Sequence, residues 1–400
     1  MSFQPFHPTM LALGQAPSII RETFEYGNRR AAEIGRENVF DFSLGNPSVP
    51  APECVGKTMD RLINETDPVQ LHGYTSAVGA EPVRKAVAND LNKRFGTAYT
   101  AGDIYMTCGA AASLTVTLRA ILCEGDVCLA FAPFFPEYRV FVEAQGARFG
   151  IVPADMERFS VNLEALEKVL TPDVKALIIN TPNNPTGVVC REEDLKKLAD
   201  ILRAKEKEYG HPIYLLADEP YRELVYDKET VVPFLPELYD NTFVCYSFSK
   251  SLSLPGERIG YIAVSPKMKD SRLLYAAVCG AGRALGFVCA PSMMQRVVAE
   301  NLGKTSDLSV YKRNRDLLYE NLTKFGYHCI YPDGAFYLWV QALEPDAGRF
   351  CQKARDYELL IVPSDSFGCE GYVRIAYCVT TEMIERSLPA FRKLAESYGK

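Results

Sequence analysis

The stretch ALIINTPNNPTG, residues 176–187, joins an apolar run to a loop that contains two prolines and two adjacent asparagines. The run does not alternate apolar with polar residues, which indicates a strand that is buried on both faces. A helix is predicted next, at residues 191–209, and a second apolar run follows at residues 213–217. Apolar strands separated by helices are typical of a mostly parallel sheet that is covered by helices on both faces.

The same alternation begins near residue 75 and continues to residue 246. Further helices are predicted at residues 81–95, 110–122 and 137–145. Further strands are predicted at residues 103–108, 126–131, 147–152 and 243–246. The fold class is therefore α/β, with the sheet at the centre of a large domain.

Beyond residue 290 the pattern changes to long helices, at residues 291–301 and 308–325, and to strands near residues 336–340 and 372–377. This change indicates a smaller α+β domain, which the N-terminal segment completes. We predict a large domain of residues 48–285 and a discontinuous small domain of residues 1–47 and 286–400.

Composition argues against several classes of protein. The formal net charge over 400 residues is −6, and no dense block of lysine and arginine indicates a nucleic-acid surface. The twelve cysteines include no CxxC pair and, with four scattered histidines, form no zinc pattern. The N-terminal residues do not resemble a secretory signal, and no apolar run approaches the ~20 residues that span a bilayer. We expect a soluble, reduced, cytoplasmic protein without a metal site, a nucleic-acid partner or a membrane partner.

Charged side chains follow two of the predicted strands. Asp218 comes directly after the run at residues 213–217, and Lys250 stands among serines in SFSKS, residues 247–251. Ligands of open parallel sheets bind outside the carboxyl ends of the strands. A lysine among small residues in a partly desolvated site can form a Schiff base, and a buried aspartate needs a cation or hydrogen-bond donors. The two residues therefore predict chemistry at this edge of the sheet.

Other strand ends carry residues that suit a phosphate and a flat ring. Residues 109–111, Gly-Ala-Ala, open a predicted helix whose free amides can bind a phosphate. Arg258 stands between two glycines shortly after the lysine segment, and the two aromatic residues 134–135 could stack on a heteroaromatic ligand.

Pyridoxal phosphate requires all of these features together: a lysine, an acid group for its pyridinium nitrogen, a phosphate cradle and a stacking wall. Lys250 can supply the imine and Asp218 the partner of the pyridinium nitrogen. Ser247, Arg258 and the amides after Gly109 can supply the cradle. We therefore predict pyridoxal 5'-phosphate as the cofactor, bound covalently by Lys250.

The motifs NTPNNPTG, ADEPY, SFSK, GERIGY, PDGAFYLW and YVRIAY, taken together, resemble those of the class I/II, fold-type I pyridoxal-phosphate-dependent aminotransferases. The resemblance extends from residues 44–47, LGNP, to Arg374, with the motifs in the family's order. It implies a seven-stranded type of sheet and an aminotransferase that works by a ping-pong aldimine/ketimine mechanism. The amino group of an L-amino acid, of the aspartate, alanine or aromatic class, would pass to a 2-oxo acid such as 2-oxoglutarate.

The resemblance also implies a role for each matching residue. Lys250 would carry the cofactor and move a proton between the substrate Cα and the cofactor C4′, and Asp218 would keep the pyridine nitrogen protonated. Tyr221 would be the third catalytic residue, and with Asn184 it would hydrogen-bond the 3′-oxygen of the cofactor. The implied cofactor-binding residues are Gly109, Ala110, Ala111, Phe135, Asn184, Asp218, Tyr221, Ser247, Ser249, Lys250, Arg258 and Tyr74. Phe134 could fill the stacking place of Phe135 if the alignment slips by one residue.

Tyr74 matches a residue that reaches the phosphate from the neighbouring subunit, so the resemblance implies a homodimer with shared active sites. Arg374 would bind the substrate α-carboxylate, and Phe336 would shield the site from water. The implied substrate-binding residues are Gly45, Asn184, Arg374 and Phe336. A second substrate carboxylate has no assigned partner, and the candidates for it are Arg119, Arg139 and Arg283.

Three other functions each match a part of this sequence pattern. A carbon–sulfur β-lyase of the same fold uses the same lysine and aspartate, and the motifs alone do not separate it from an aminotransferase. A nicotinamide dehydrogenase is disfavoured because the GxGxxxG pattern at residues 280–286 follows a predicted helix and not a strand. We expect residues 279–286 to link the two domains instead. A non-catalytic, pyridoxal-phosphate-sensing regulator is disfavoured by the acidic charge balance.

Overall fold

The computed structural model describes residues 5–16 and 18–400. The helices are α1 (Pro8–Gln15), α2 (Ile19–Ile34), α3 (Glu53–Glu65), α4 (Pro68–His72), α5 (Glu81–Phe95), α6 (Ala110–Ile121), α7 (Glu137–Glu143), α8 (Leu163–Val169), α9 (Glu192–Tyr209), α10 (Leu235–Leu238), α11 (Phe248–Ser251), α12 (Ser271–Leu285), α13 (Ser292–Glu300), α14 (Leu308–Lys324), α15 (Ala347–Arg355) and α16 (Thr381–Glu396). The strands are β1 (Phe40–Asp41), β2 (Ile104–Thr107), β3 (Val127–Phe131), β4 (Arg148–Val152), β5 (Val174–Asn180), β6 (Tyr214–Asp218), β7 (Thr242–Ser247), β8 (Gly260–Val264), β9 (Cys329–Ile330), β10 (Tyr337–Gln341), β11 (Leu359–Leu360), β12 (Val362–Pro363) and β13 (Tyr372–Ala376).

A seven-stranded sheet forms the centre of the larger part of the chain, with the strand order β2-β8-β7-β6-β5-β3-β4. Neighbouring strands are parallel except at β8, which runs antiparallel to β2 and to β7. The prediction of an α/β fold with a mostly parallel sheet is therefore confirmed. Strands β6 and β7 are almost entirely buried, as their apolar sequences predict, because helices cover both faces of the sheet.

The register of the strands brings the predicted site residues to one edge of the sheet. Asn180, the last residue of β5, pairs with Asp218, the last residue of β6. Ser247 at the end of β7 pairs with Gly260 at the start of β8, and Thr107 at the end of β2 pairs with the same glycine. Side chains that are far apart in the sequence therefore meet where four strands end.

A second sheet of four antiparallel strands has the order β12-β13-β10-β9. Strand β1 pairs in parallel with β11, so residues near position 40 join the C-terminal part of the chain. Helices α14 and α16 pack against each other over this region, in a core that includes Phe336, Phe350 and Phe391. The predicted boundaries of the two domains stay a prediction. Helix α13, which the prediction assigns to the small domain, packs against α3 and α5, which it assigns to the large domain.

Helix α12 and its C-cap contain the glycine-rich segment of residues 279–286. Residues 279–286, which we expected as a linker, form the C-terminal turns of α12, and Gly286 caps that helix with a φ of +76°. The segment is therefore helical, and the expectation that it links the two domains stays a prediction. Within the described part of the chain, no helix combines the length and the apolar character that crossing a membrane requires.

Candidate active site

A cavity of about 310 Å³ opens at the carboxyl ends of the central strands. Most of the residues that the sequence predicts for the site line this cavity. They are Gly45, Ala110, Ala111, Phe135, Asn184, Asp218, Tyr221, Ser247, Ser249, Lys250, Arg258 and Arg374. Three predicted residues, Gly109, Tyr74 and Phe336, are not among its lining residues.

Lys250 lies in the short helix α11, directly after β7. Its Nζ donates a 2.6 Å hydrogen bond to the carbonyl oxygen of Gly45 and lies 5.4 Å from the centre of the Phe336 ring. The pKa of Lys250 is lowered to about 8, mainly by burial and in smaller part by the charges of Arg258 and Arg374, while Cys378 acts in the opposite direction. A lysine with a lowered pKa has an appreciable neutral fraction at physiological pH, which is the nucleophilic form.

Asp218 ends β6 and is buried. Its Oδ2 accepts a 2.5 Å hydrogen bond from the hydroxyl of Tyr138. Its Oδ1 is buried and has no hydrogen-bond partner among the described residues. The pKa of Asp218 is raised to about 7, mainly by burial and in smaller part by the charge of Glu219, while the hydrogen bond from Tyr138 acts in the opposite direction. A buried acceptor without a partner indicates a place for a donor from a ligand.

Arg374 in β13 is buried and lines the same cavity. It donates a 3.1 Å hydrogen bond to Oδ1 of Asn184 and a 2.5 Å hydrogen bond to the carbonyl oxygen of Ser43. Its Nε has no partner, and no carboxylate within residues 5–16 and 18–400 forms an ion pair with it. A buried guanidinium without a counter-charge is costly, so this position favours an anionic ligand.

Two tyrosines line the cavity near Arg374. The hydroxyl groups of Tyr221 and Tyr337 are hydrogen-bonded at 2.9 Å, and the guanidinium of Arg374 lies 4.7 Å from the centre of the Tyr337 ring. Burial raises the pKa of Tyr221 well above its ordinary value, and the neighbouring Tyr337 adds to the effect. Tyr221 is therefore a hydrogen-bonding group and not an anion in this cavity without a ligand.

A site for a phosphate lies between the first turn of α6 and Arg258. Gly109 precedes α6 with a φ of +91°, and a Cβ atom at this position would lie 2.9 Å from Nη2 of Arg258. Glycine therefore lets the guanidinium approach the free amides of Ala110 and Ala111. The hydroxyl groups of Ser247 and Ser249 are hydrogen-bonded to each other at 2.8 Å on the same wall. Amides at a helix N-terminus, hydroxyls and a guanidinium form a suitable set of donors for a phosphate.

The two adjacent phenylalanines have different surroundings. Phe135 is half-buried and lines the cavity. Phe134 is buried in the core, where its ring packs edge-to-face on Phe149 with the centroids 5.0 Å apart. The structure therefore places Phe135, and not Phe134, where a ring of a ligand could be stacked.

The remaining predicted residues lie away from the cavity. Tyr74 is 99% exposed on the surface of the single chain. Arg119, Arg139 and Arg283 are exposed and do not line the cavity, and Arg139 pairs with Glu143 on its own helix. None of the three arginines is placed to bind a second substrate carboxylate within one chain.

Sequence reasoning missed several residues of the site. Tyr337 was missed: the prediction chose its neighbour Phe336, which is fully buried in the core, whereas Tyr337 lines the cavity. Tyr138 was missed although it contacts Asp218, and Ile20 was missed although α2 brings it to the cavity. The GAFYLW motif contains both adjacent aromatic residues, and their order alone does not show which one faces the cavity.

These observations fit pyridoxal phosphate. The cavity has a lysine with a lowered pKa, a buried carboxylate oxygen without a partner, an aromatic wall and a set of phosphate donors. The fit rests on groups that the chain leaves without partners of their own, which a bound cofactor would supply.

Comparisons with known proteins agree with this geometry. The sequence profile of the family "Aminotransferase class I and II" matches residues 37–391. Among curated proteins, the chain is 28% identical to aromatic-amino-acid aminotransferase 2 of Thermococcus litoralis, covering 94% of this chain and 95% of that protein. It is also 28% identical to the aspartate aminotransferase of Thermotoga maritima, covering 92% of this chain and 95% of that protein.

Solved structures give a similar result. An amino transferase from Eubacterium rectale is 54% identical to this chain, has a TM-score of 0.97, and each chain covers 100% of the other. The aspartate aminotransferase of Thermus thermophilus, solved with maleate, is 25% identical with a TM-score of 0.84, over 98% of this chain and 100% of that one.

Proposed function

The chain belongs to the aminotransferase class I and II family, whose members depend on pyridoxal phosphate, and it is an aminotransferase; we propose that it transfers the amino group of an L-amino acid to a 2-oxo acid with the cofactor held covalently by Lys250. One observation carries the proposal. The buried, uncompensated guanidinium of Arg374 lines the same cavity as the amine of Lys250, whose pKa is lowered to about 8. A cation that binds the α-carboxylate and a reactive amine that holds the cofactor are the two features that a site needs to bind and convert an amino acid.

Besides the covalent bond to Lys250, four kinds of contact would hold the cofactor. Asp218 would accept a hydrogen bond from the ring nitrogen, Phe135 would lie against the ring, and Tyr221 and Asn184 would bind the 3′-oxygen. The phosphate-binding groups would be Gly109, the amides of Ala110 and Ala111, Ser247, Ser249 and Arg258. When it is bound, pyridoxal phosphate supplies an electron sink for the electron pair of the broken Cα–H bond.

The side chains of the protein would bind the substrate and move its proton. Arg374 would bind the α-carboxylate through two of its nitrogens, and Asn184 would accept from the same guanidinium and hold it in place. After the incoming amino acid has displaced Lys250, its Nζ would take the proton from the substrate Cα. In the reverse half-reaction, the same nitrogen would return a proton to Cα. Tyr337 would pack over Arg374 and keep water from the bound carboxylate.

The lining of the cavity favours a donor with an uncharged side chain. In the described part of the chain the lining includes three cations, Lys250, Arg258 and Arg374, and each already has a role in the proposal. The lining also includes the apolar side chains of Ile20 and Leu44. A buried charge without a partner is costly, so among the three donor classes we favour alanine or an aromatic amino acid over aspartate.

We also propose that the enzyme is a cytoplasmic homodimer in which Tyr74 completes the neighbouring site. The support is that Tyr74 is 99% exposed in one chain, which leaves its hydroxyl free for contact with a second copy. The alternative, a carbon–sulfur β-lyase, has no observation in its favour, and the relatives compared above are named aminotransferases.

A single-turnover experiment tests the proposed function. The purified holoenzyme is mixed with alanine, tyrosine, aspartate or cystathionine in the absence of a 2-oxo acid, and the released products are measured. An aminotransferase releases at most one equivalent of 2-oxo acid per site until an acceptor is added, and it releases no ammonia with or without the acceptor, because the amino group stays on the cofactor or passes to the acceptor. Continuous release of pyruvate, ammonia and a thiol from cystathionine would instead identify a lyase and overturn the proposal.

A further inference from the structure

Tyr138 connects Asp218 to the aromatic wall of the cavity. It lies in the first turn of α7, its side chain is 1% exposed, and its hydroxyl donates to Oδ2 of Asp218, 80 positions away. Its ring packs edge-to-face on Phe135 with the centroids 5.7 Å apart. One buried side chain therefore contacts both of the residues that would flank the ring of the cofactor.

The two oxygens of the Asp218 carboxylate have different surroundings. Oδ2 is bound by Tyr138, whereas Oδ1 is buried without a partner among the described residues. The terminal torsion of an aspartate is broad, so the carboxylate can rotate unless a hydrogen bond holds one oxygen. The contact with Tyr138 therefore decides which oxygen is left to accept from a ligand.

No other titratable group described by the structure holds this carboxylate. Three further titratable side chains face Asp218, and each is engaged elsewhere: Glu219, Tyr221 and Cys245. Glu219 is paired with the buried guanidinium of Arg222. The hydroxyl of Tyr138 is thus the side-chain donor that the described structure provides to Asp218.

We propose that Tyr138 is a positioning residue, whose hydroxyl holds Oδ2 of Asp218 so that Oδ1 accepts the hydrogen bond from the ring nitrogen of the cofactor. This inference rests on the proposed function, in which Asp218 pairs with that nitrogen. A donor to the carboxylate also favours its ionised form, and the ionised form is the one that binds a protonated ring nitrogen. Tyr138 thereby acts on the cofactor through Asp218 without touching it.

The test compares Tyr138→Phe with a matched control, Tyr105→Phe. Tyr105 belongs to the same core, is also 1% exposed, and donates a 2.7 Å hydrogen bond to the carbonyl oxygen of Phe287, away from the cavity. The dissociation constant of pyridoxal phosphate is measured by titrating each cofactor-free protein. Tyr138→Phe is expected to raise it about tenfold, as loss of a hydrogen bond to a charged group should, while Tyr105→Phe leaves it within about twofold. Equal changes in the two variants, or no change in Tyr138→Phe, would overturn the inference.

A double-variant cycle shows whether the effect passes through Asp218. If it does, Tyr138→Phe has little effect on cofactor affinity once Asp218→Asn is present. The same fold-change in both backgrounds would mean that Tyr138 acts only by packing, and the inference would fail. If Asp218→Asn alone leaves the affinity unchanged, the proposed pairing of Asp218 with the ring nitrogen fails, which is a different result from the failure of Tyr138→Phe alone.

Discussion

The side-chain nitrogen of Lys250 donates a 2.6 Å hydrogen bond to the carbonyl oxygen of Gly45, 205 positions earlier in the chain. Gly45 has no side chain because there is no room for one: a Cβ atom would lie 2.0 Å from the hydroxyl oxygen of Tyr337. Three segments that are distant in sequence thus meet at the amine. The contact holds the amine within the cavity, where burial and neighbouring cations lower its pKa.

Replacement of the lysine tests its covalent role. Lys250→Ala should abolish amino-group transfer, because it removes both the site of covalent attachment and the base that moves the substrate proton. The protein should still fold, since the side chain leaves a space that belongs to a cavity and not to the core. Turnover is measured with an amino acid and a 2-oxo acid, and folding by circular dichroism. Transamination above background in a folded variant would refute the assignment.

Replacement of the arginine tests the carboxylate site. Arg374→Ala should raise the KM for every amino acid and lower kcat/KM by about 100-fold, because a buried charge-assisted pair is lost. Arg374→Lys keeps the charge without the planar fork of donors and should recover part of the loss. Steady-state kinetics with several donors provide the measurement. An unchanged KM in Arg374→Ala would place the carboxylate elsewhere.

Most of the fold could be predicted because each strand and helix has its own periodicity. Helix α5, for example, has the predicted bounds, residues 81–95. Strand β8 was not predicted. Its apolar run, residues 260–264, follows β7 after the short helix α11, and the expectation of parallel neighbours does not anticipate a strand that runs antiparallel.

Much of the site could be predicted because its residues stand at strand ends, where parallel strands bring them together. The places of Tyr337 and Tyr138 in the site could not be predicted. The face of Tyr337 depends on the pairing of β10 with β13, in which Tyr337 lies opposite Ala376. The contact of Tyr138 with Asp218 joins a helix to a strand 80 positions away, and no local pattern marks it.

The raised pKa of Asp218 predicts a pH-dependent change in stability. Without the cofactor, the folded protein holds a proton that the unfolded chain releases, so stability falls as the pH rises from about 3.8 to about 7. Asp218→Asn removes this cost and should stabilise the cofactor-free protein by roughly 2–4 kcal/mol more at pH 8 than at pH 4. The measurement is denaturant unfolding of the two cofactor-free proteins at both pH values.

The control for this prediction is Asp227→Asn. The hydrogen bond from Arg315 holds the pKa of Asp227 below its usual range, so its stabilising contribution is complete above the ordinary pKa and is lost only as the pH falls through the lowered value. The effect of Asp227→Asn should therefore be nearly constant between pH 5 and pH 8. A stability difference for Asp218→Asn that is equally constant would contradict the burial of an ionisable carboxyl group.

The pKa of Lys250 predicts the pH at which its amine becomes reactive. In the cofactor-free protein, acylation of Lys250 should increase with pH and level off above about 8, since the neutral amine predominates there. Lys57 serves as an internal control, because its hydrogen bond with Glu53 raises its pKa above the ordinary value. Mass spectrometry after brief labelling measures both sites in one sample. Parallel pH profiles for the two lysines would show that the cavity does not alter the amine.

The apolar wall at Ile20 predicts that donor preference can be altered by one substitution. The wild-type enzyme should convert alanine or an aromatic amino acid with a higher kcat/KM than aspartate, since within the described chain no cation beyond the three already assigned lines the cavity. Ile20→Lys should raise kcat/KM for aspartate relative to alanine by about tenfold, by pairing with the second carboxylate. Ile19→Lys is the matched control. Both Ile19 and Ile20 pack against the core cluster that includes Trp339, but Ile19 does not line the cavity. Aspartate as the best donor of the wild type would show that a cation from outside this chain reaches the site, and the neighbouring subunit would then be the place to search for it.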